Sequence, residues 1–115
     1  MIMKRNMDLI KTILLNIENG EPNKAIQNYS KDEILYNKNL LIEAKLVKGR
    51  VAMNTEGSLP KVAEVVLFDL TWEGQNFLDL LKDKKKFELL EDLGKVLSLE
   101  ALKEVIKQTL RSQMF

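Results

Sequence analysis

VAEVVLFDLTWEGQNFLDLL, residues 62–81, is the stretch on which the fold turns. Val62 to Leu70 is rich in β-branched and aromatic residues and reads as a strand. Thr71 is a good N-cap, and Phe77, Leu78 and Leu81 follow at the spacing that lines one face of a helix. The chain therefore passes from strand to helix with no loop between them. Gly74 costs about 1 kcal/mol relative to alanine inside a helix, so its place there implies close approach of another segment. On this reading the corner redirects the chain from a sheet into the core and the glycine gives it clearance. Trp72, alone at the corner, is expected to anchor that core.

Working upstream, LVKGRVAM from Leu46 reads as a partner strand, and NTEGSLPK (54–61) as a polar loop around Gly57 and Pro60. Together they predict an antiparallel hairpin, which is marginal alone and must pack on helices. Ser30 and Glu33 form a capping box, with Tyr29 and Ile34 at the positions of a hydrophobic staple, so a helix is expected over Lys31–Lys45. Ile34, Asn37, Leu40, Leu41 and Ala44 share one of its faces, and Asp32, Tyr36, Asn39 and Glu43 the opposite one. Lys31, Lys38 and Lys45 form a strip between them at seven-residue spacing. An apolar stripe of Ile10, Ile13, Leu14 and Ile17 predicts a first helix over Lys4–Asn19, ended by Gly20. EPNKAIQNY (21–29) is a loop with room for one helical turn or a short strand.

Downstream, KDKKK (82–86) is expected at the C-terminus of the Thr71-capped helix, where cations complement the helix dipole. Phe87, Leu89, Leu90 and Leu93 offer a further apolar stretch. Ser98 is the N-cap of a last helix over residues 98–113, with Leu99, Leu102, Val105, Ile106 and Leu110 as its stripe. That stripe either closes the monomer core or pairs with a second copy in a two-fold homodimer.

At 115 residues the chain is long enough for one domain, and 45% hydrophobic with 30% charged residues is a soluble globular composition. No apolar run reaches the roughly 20 residues of a membrane span. Neither cysteine nor histidine occurs. Their absence removes disulfides, the common zinc sites, the Ser-His-Asp and Cys-His nucleophiles and the usual neutral-pH proton shuttle. The five glycines stand singly, so there is no phosphate-cradling loop. These absences favour a cytoplasmic protein that is not an enzyme, with no cofactor, metal or small-molecule substrate. Asp79 with Asp83, and Glu88, Glu91 and Asp92, are more readily read as solvated acids than as cation ligands. Net charge is +1, split as nine Lys or Arg against six Asp or Glu in residues 1–50, and nine against eleven in the remainder.

Helix, capped helix, hairpin with a long tip, and a helix returning from its last strand is the order of a winged-helix domain. The expected fold class is thus α+β: helices packed with a two- to three-stranded antiparallel hairpin, plus C-terminal helices, in one domain over 1–115. Only NKAIQNY is available for the helix that normally stands between the first two. MKRNMDLIKTILLNIE from Met3, YSKDEILYNKNLLIEAKLV from Tyr29, LTWEGQNFLD from Leu70 and SLEALKEVIK near the end resemble the successive blocks of the domain of unknown function 2513. The resemblance implies a winged-helix-like fold and a bacterial, prophage-associated origin, with no assigned activity. It also implies that Asn37 and Gln75 stand where histidine is common, Lys45 where glycine is common and Phe87 where tryptophan is common.

In a winged helix, the second helix would enter the major groove and the hairpin would touch the backbone beside it. The candidate contacts with double-stranded DNA are Lys31, Lys38, Lys45, Lys48 and Arg50 for phosphates and Asn39 for bases, with Tyr36 as a further base contact. The function expected is that of a DNA-binding or transcription-regulatory accessory factor. The alternative is an interaction module that binds protein through the hairpin or last helix and never engages DNA. The tip, Asn54–Lys61, carries one acid and one base, which weighs against a phosphate-binding wing. Asn37, polar within an apolar stripe, is expected to satisfy a buried backbone group.

Overall fold

The computed structural model describes residues 5–54 and 61–113, with side chains described for 5–54 and 62–108. The elements run α1 (Met7–Glu18), α2 (Lys31–Glu43), β1 (Val47–Asn54), β2 (Lys61–Leu70), α3 (Trp72–Leu81), α4 (Lys84–Leu93) and α5 (Leu99–Gln113). The fold is α+β: five helices and a two-stranded antiparallel hairpin among the described residues. The tip residues 55–60, on which the reading of a weakly charged wing rests, lie outside the described residues.

The helix termini follow from local hydrogen bonding. Asn6 caps α1 through Leu9 N–H, and the Ser30–Glu33 capping box opens α2 with both of its bonds made. α1 and α2 end in the same way, each with a residue in the left-handed region whose neighbours bond back to the last turn. In α1 that residue is Gly20, at φ 82°. In α2 it is Lys45, at φ 61°, flanked by Lys45 N–H to Ile42 O and Leu46 N–H to Leu41 O, both 3.0 Å. α2 thus stops at Glu43, two residues short of the expectation, and Lys45 leaves the helical path.

The hairpin has Gly49 opposite Leu67 and Val51 opposite Val65 on its covered face, where Val47, Val65 and Leu67 are buried. Between Lys48/Asp69 and Gly49/Leu67 the register shifts, so Phe68 is an extra residue on β2. The outer edge of β2 is closed by the 19–30 connection. Asn23 accepts from Leu67 N–H (2.9 Å) and donates to Leu67 O (3.0 Å), so one carboxamide replaces one rung of a third strand. That connection forms neither helix nor strand, and the intermediate helix of a winged-helix domain is missing there.

The strand-to-helix corner is built as the glycine implies. Thr71 N–H donates to Leu46 O at 3.0 Å, and its hydroxyl donates to Lys45 O at 2.7 Å while accepting Gly74 N–H at 3.0 Å. A β-carbon on residue 74 would lie 1.8 Å from Leu46 O. The first turn of α3 therefore rests main chain to main chain on the α2–β1 turn.

α1 supplies the largest share of the core, with Leu9, Ile10, Ile13 and Leu14 buried against Leu41, Leu46, Leu67, Phe77, Leu78 and Leu81. Leu99, Leu102 and Ile106 of α5 are buried in the same core, so the first half of that stripe serves the monomer. Lys103 fixes α5 at two points, donating to Ala44 O at the end of α2 (2.9 Å) and pairing with Glu73 of α3. Lys82 and Gln75 of α3 both bind Glu18 at the end of α1.

KDKKK departs from the expectation. Asp83 accepts from Lys85 N–H and Lys86 N–H and caps a new helix, so Lys84–Lys86 form the first turn of α4. Cations there oppose the helix dipole, an effect of about 0.3–1 kcal/mol that the Asp83 cap offsets.

Gly74→Ala is expected to cost about 3 kcal/mol or more, since a methyl group against a main-chain oxygen cannot be relieved by a rotamer change. Urea unfolding measures it, and an unchanged midpoint would show that α3 is not seated on Leu46. Acid provides a second check. Hydrogen bonds from Lys82 and then Gln75 hold the Glu18 carboxyl below its ordinary 4.5, and the Lys103 hydrogen bond does the same for Glu73. Both folded-state values lie below the unfolded ones, so this stabilisation is complete above about pH 4.5 and is lost as pH falls through the lowered values. Glu73→Gln should flatten the acid limb of a Tm-against-pH curve, and an identical limb in the variant would refute the assignment.

Candidate nucleic-acid interface

The six residues singled out as DNA contacts fall into two groups and one isolated position. Lys31 and Lys38 line an open cleft of about 390 Å³ between α2 and the 23–29 connection, together with Lys24, Tyr29, Ile34 and Leu35. Lys38 is half-buried there, and desolvation lowers its pKa. Lys45, Lys48 and Arg50 lie elsewhere, in the α2–β1 turn and along β1. The strip Lys31–Lys38–Lys45 is accordingly broken, because Lys45 sits in the left-handed turn and not on the helix. Asn39 stands apart with its carboxamide donating to Glu43 Oε1 at 3.1 Å. With Asp32 and Glu43 also exposed, the solvent side of α2 offers acids where a groove-reading helix would offer donors.

The second group has company that the sequence reading missed. Lys48 and Arg50 alternate along β1 and project from the bare face of the hairpin, opposite buried Val47. Phe68, the extra residue of β2 between the Lys48–Asp69 and Gly49–Leu67 pairs, is 56% exposed, and Trp72 is 84% exposed. Trp72 was expected in the core and is not there. The reason lies in helix geometry: Gly74, Phe77, Leu78 and Leu81 face inward, and Trp72 is two residues, about 200°, away from Gly74. A helical wheel centred on Gly74 would have placed it outside. The bonds from Thr71 to Lys45 and Leu46 then hold the start of α3 beside the α2–β1 turn.

Charges on this surface are unevenly matched. Among the described side chains, the lysines within ion-pair distance of an acid are Lys24, Lys82, Lys95, Lys103 and Lys107. Lys31, Lys38, Lys45, Lys48 and Arg50 are not among them. Asp69, the cross-strand partner of Lys48, accepts the N–H of Leu70 at 2.8 Å and keeps its charge, and Glu73 is held by Lys103 and Lys107.

Other candidates resolve into structural roles. Buried Asn37 accepts from Asn6 N–H and donates to Glu33 O, both at 2.9 Å, tying the start of α1 to α2 as expected. Asp79 accepts from Gln75 and Asp83 caps α4. No group of three or more acids that could hold a metal ion occurs among the described residues, and none of the described helices is long and apolar enough to cross a membrane. A further hollow, about 650 Å³ and lined by Arg5, Asp8 and Glu91 among others, has its guanidinium already bound to the carbonyls of Gly94 and Leu97.

No solved structure matches the chain. It is similar to an uncharacterized protein of Haemophilus influenzae, at 30% identity over 97% of this chain and 98% of that one. The profile described as "Hypothetical protein (DUF2513)" matches residues 4–96, which takes in α1 to α4 and leaves α5 beyond its end. With that match and a relative alike over nearly its full length, the chain belongs to the DUF2513 family.

Proposed function

We propose that the protein binds DNA through the bare face of its hairpin and the strand-to-helix corner, with Lys45, Lys48 and Arg50 contacting phosphates. One observation carries this reading: among the described side chains these cations have no acid within ion-pair distance. Unpaired cations on one face are what a polyanion releases its counterions to bind. Lys31 and Lys38, in their separate cleft, are a second set of contacts. Under this reading the family member is a bacterial, cytoplasmic DNA-binding or regulatory accessory factor that needs no cofactor.

The exposure of Trp72 and Phe68 favours a second reading, an interaction module that receives a protein partner on the same corner. Fluorescence anisotropy of labelled duplex DNA over a salt series separates the two. DNA binding predicts affinity falling with log salt at a slope of about −0.9 per phosphate contact, reduced by about one unit in Lys48→Ala or Arg50→Ala. Lys45→Gly is the sharpest variant. It removes a charge and relieves a left-handed lysine, so it should stabilise the fold by about 1 kcal/mol while lowering the salt slope. Micromolar protein that leaves the anisotropy unchanged at about 50 mM salt would reject DNA binding in favour of the protein partner.

A further inference from the structure

Resting on the DNA reading, we infer that the corner is a stacking platform for unpaired bases, so that the ligand is single-stranded DNA with Trp72 and Phe68 as its base-contacting residues. A duplex offers the protein phosphates and groove edges, and has no use for flat apolar rings lying open on the surface. A single strand offers both phosphates and base faces, and surfaces that bind it combine a cationic track with aromatic rings. The hairpin supplies that combination. Phe68 is the unpaired bulge residue beside Asp69, the cross-strand partner of Lys48, and Arg50 is the next outward residue along β1. Trp72 follows the residue whose hydroxyl holds Lys45 O. The exposed rings of Phe68 and Trp72 thus flank the segment that pairs with Lys48 through Asp69 and bonds to Lys45 through Thr71.

The charge pattern selects this occupant over a second copy of the chain. A two-fold dimer on the face would set Lys45, Lys48 and Arg50 toward their own counterparts, with Glu73 already neutralised by Lys103 and Lys107. The acids that remain on the hairpin are Asp69, which caps the N–H of Leu70, and Glu64, opposite Ala52 and farther toward the tip. Asp69 is the cross-strand partner of Lys48, so along this stretch one acid stands against three cations, Lys45, Lys48 and Arg50.

Trp72 is the sole tryptophan, which makes its emission a site-specific reporter. The full chain is titrated with oligo(dT) of about 12 nucleotides, within the site sizes of single-strand binders, and with an abasic strand of the same length, oligo(U) and a duplex. Saturable quenching by oligo(dT) but not by the abasic strand is expected. Trp72→Ala and Phe68→Ala, read by anisotropy of labelled oligo(dT), should each weaken binding about 10-fold and leave duplex binding unchanged. Phe68→Ala retains the reporter, so the idea stays testable should Trp72→Ala fold poorly. Salt-dependent binding of oligo(dT) and the abasic strand alike, with Trp72 emission unmoved, would overturn the stacking platform and leave the phosphate reading intact. Tighter binding of duplex than of oligo(dT) would do the same. Tighter binding of oligo(U) by about 10-fold would reassign the ligand to RNA and overturn the inference as stated. No binding of any strand at about 50 mM salt would overturn both readings together.

Discussion

The contact between the first turn of α3 and the main chain at Leu46 is the constraint from which the rest of the arrangement follows. Leu46 O accepts Thr71 N–H, and the space where residue 74 would carry a β-carbon is filled by that same oxygen. Two backbones in direct contact leave no side chain free to adjust between them, so the position and rotation of α3 are fixed together. Rotation matters most here. With Gly74 against Leu46, Phe77, Leu78 and Leu81 must point into the core and Trp72 must point out of it. The exposed tryptophan follows from the docking and needs no separate cause.

The same contact organises the charges. The α2–β1 turn has to present Leu46 O to α3, and the left-handed Lys45 provides the reversal that does so. On the far side of α3, Glu73 faces α5 and collects Lys103 and Lys107, and Lys103 continues to the last carbonyl of α2. Glu73 is therefore consumed in holding helices together, while Lys45, Lys48 and Arg50 form no ion pair among the described side chains. A local packing requirement thereby separates paired from unpaired charge across the molecule, in a chain whose net charge is only +1. Net charge was a poor guide to the surface for this reason.

The parts of the fold legible in the sequence are those set by a few adjacent residues. The Ser30–Glu33 box, the Thr71 cap, the hairpin and the clearance role of Gly74 all have local causes, and Asn37 was identified because a lone amide in an apolar stripe must find backbone partners. What was not legible depends on distant partners or on a choice between two local signals. Asn23 bridges to Leu67 across 44 positions, and nothing near it announces that role. Asp83 competes with four neighbouring lysines; its side chain starts α4 where the charge run suggested the end of α3. Of the candidate site, Lys48 and Arg50 were recognisable from strand alternation. Phe68 was not, because the bulge that turns it outward is a property of the β1–β2 register.

The resemblance implies histidine where Asn37 and Gln75 stand, and the bonds that the two carboxamides make show what each position asks of its side chain. A neutral imidazole has one donor and one acceptor nitrogen. Asn37 uses one acceptor, for Asn6 N–H, and one donor, toward Glu33 O, so its carboxamide reproduces the pattern an imidazole would offer in the same buried gap between α1 and α2. Gln75 donates to both Glu18 and Asp79 on the surface between α1 and α3, where a neutral imidazole could supply only one of the two bonds. Each position therefore asks for hydrogen-bond valence, and neither bond in this chain requires a titrating group. Lys45 fits the same logic for the backbone: its left-handed φ is the reason glycine suits that turn, and lysine there retains a cation at the cost of strain. Where this chain departs from the residues its relatives are expected to carry, it preserves the geometry that seats the corner, and at Lys45 it adds charge to a face whose cations form no ion pair among the described side chains.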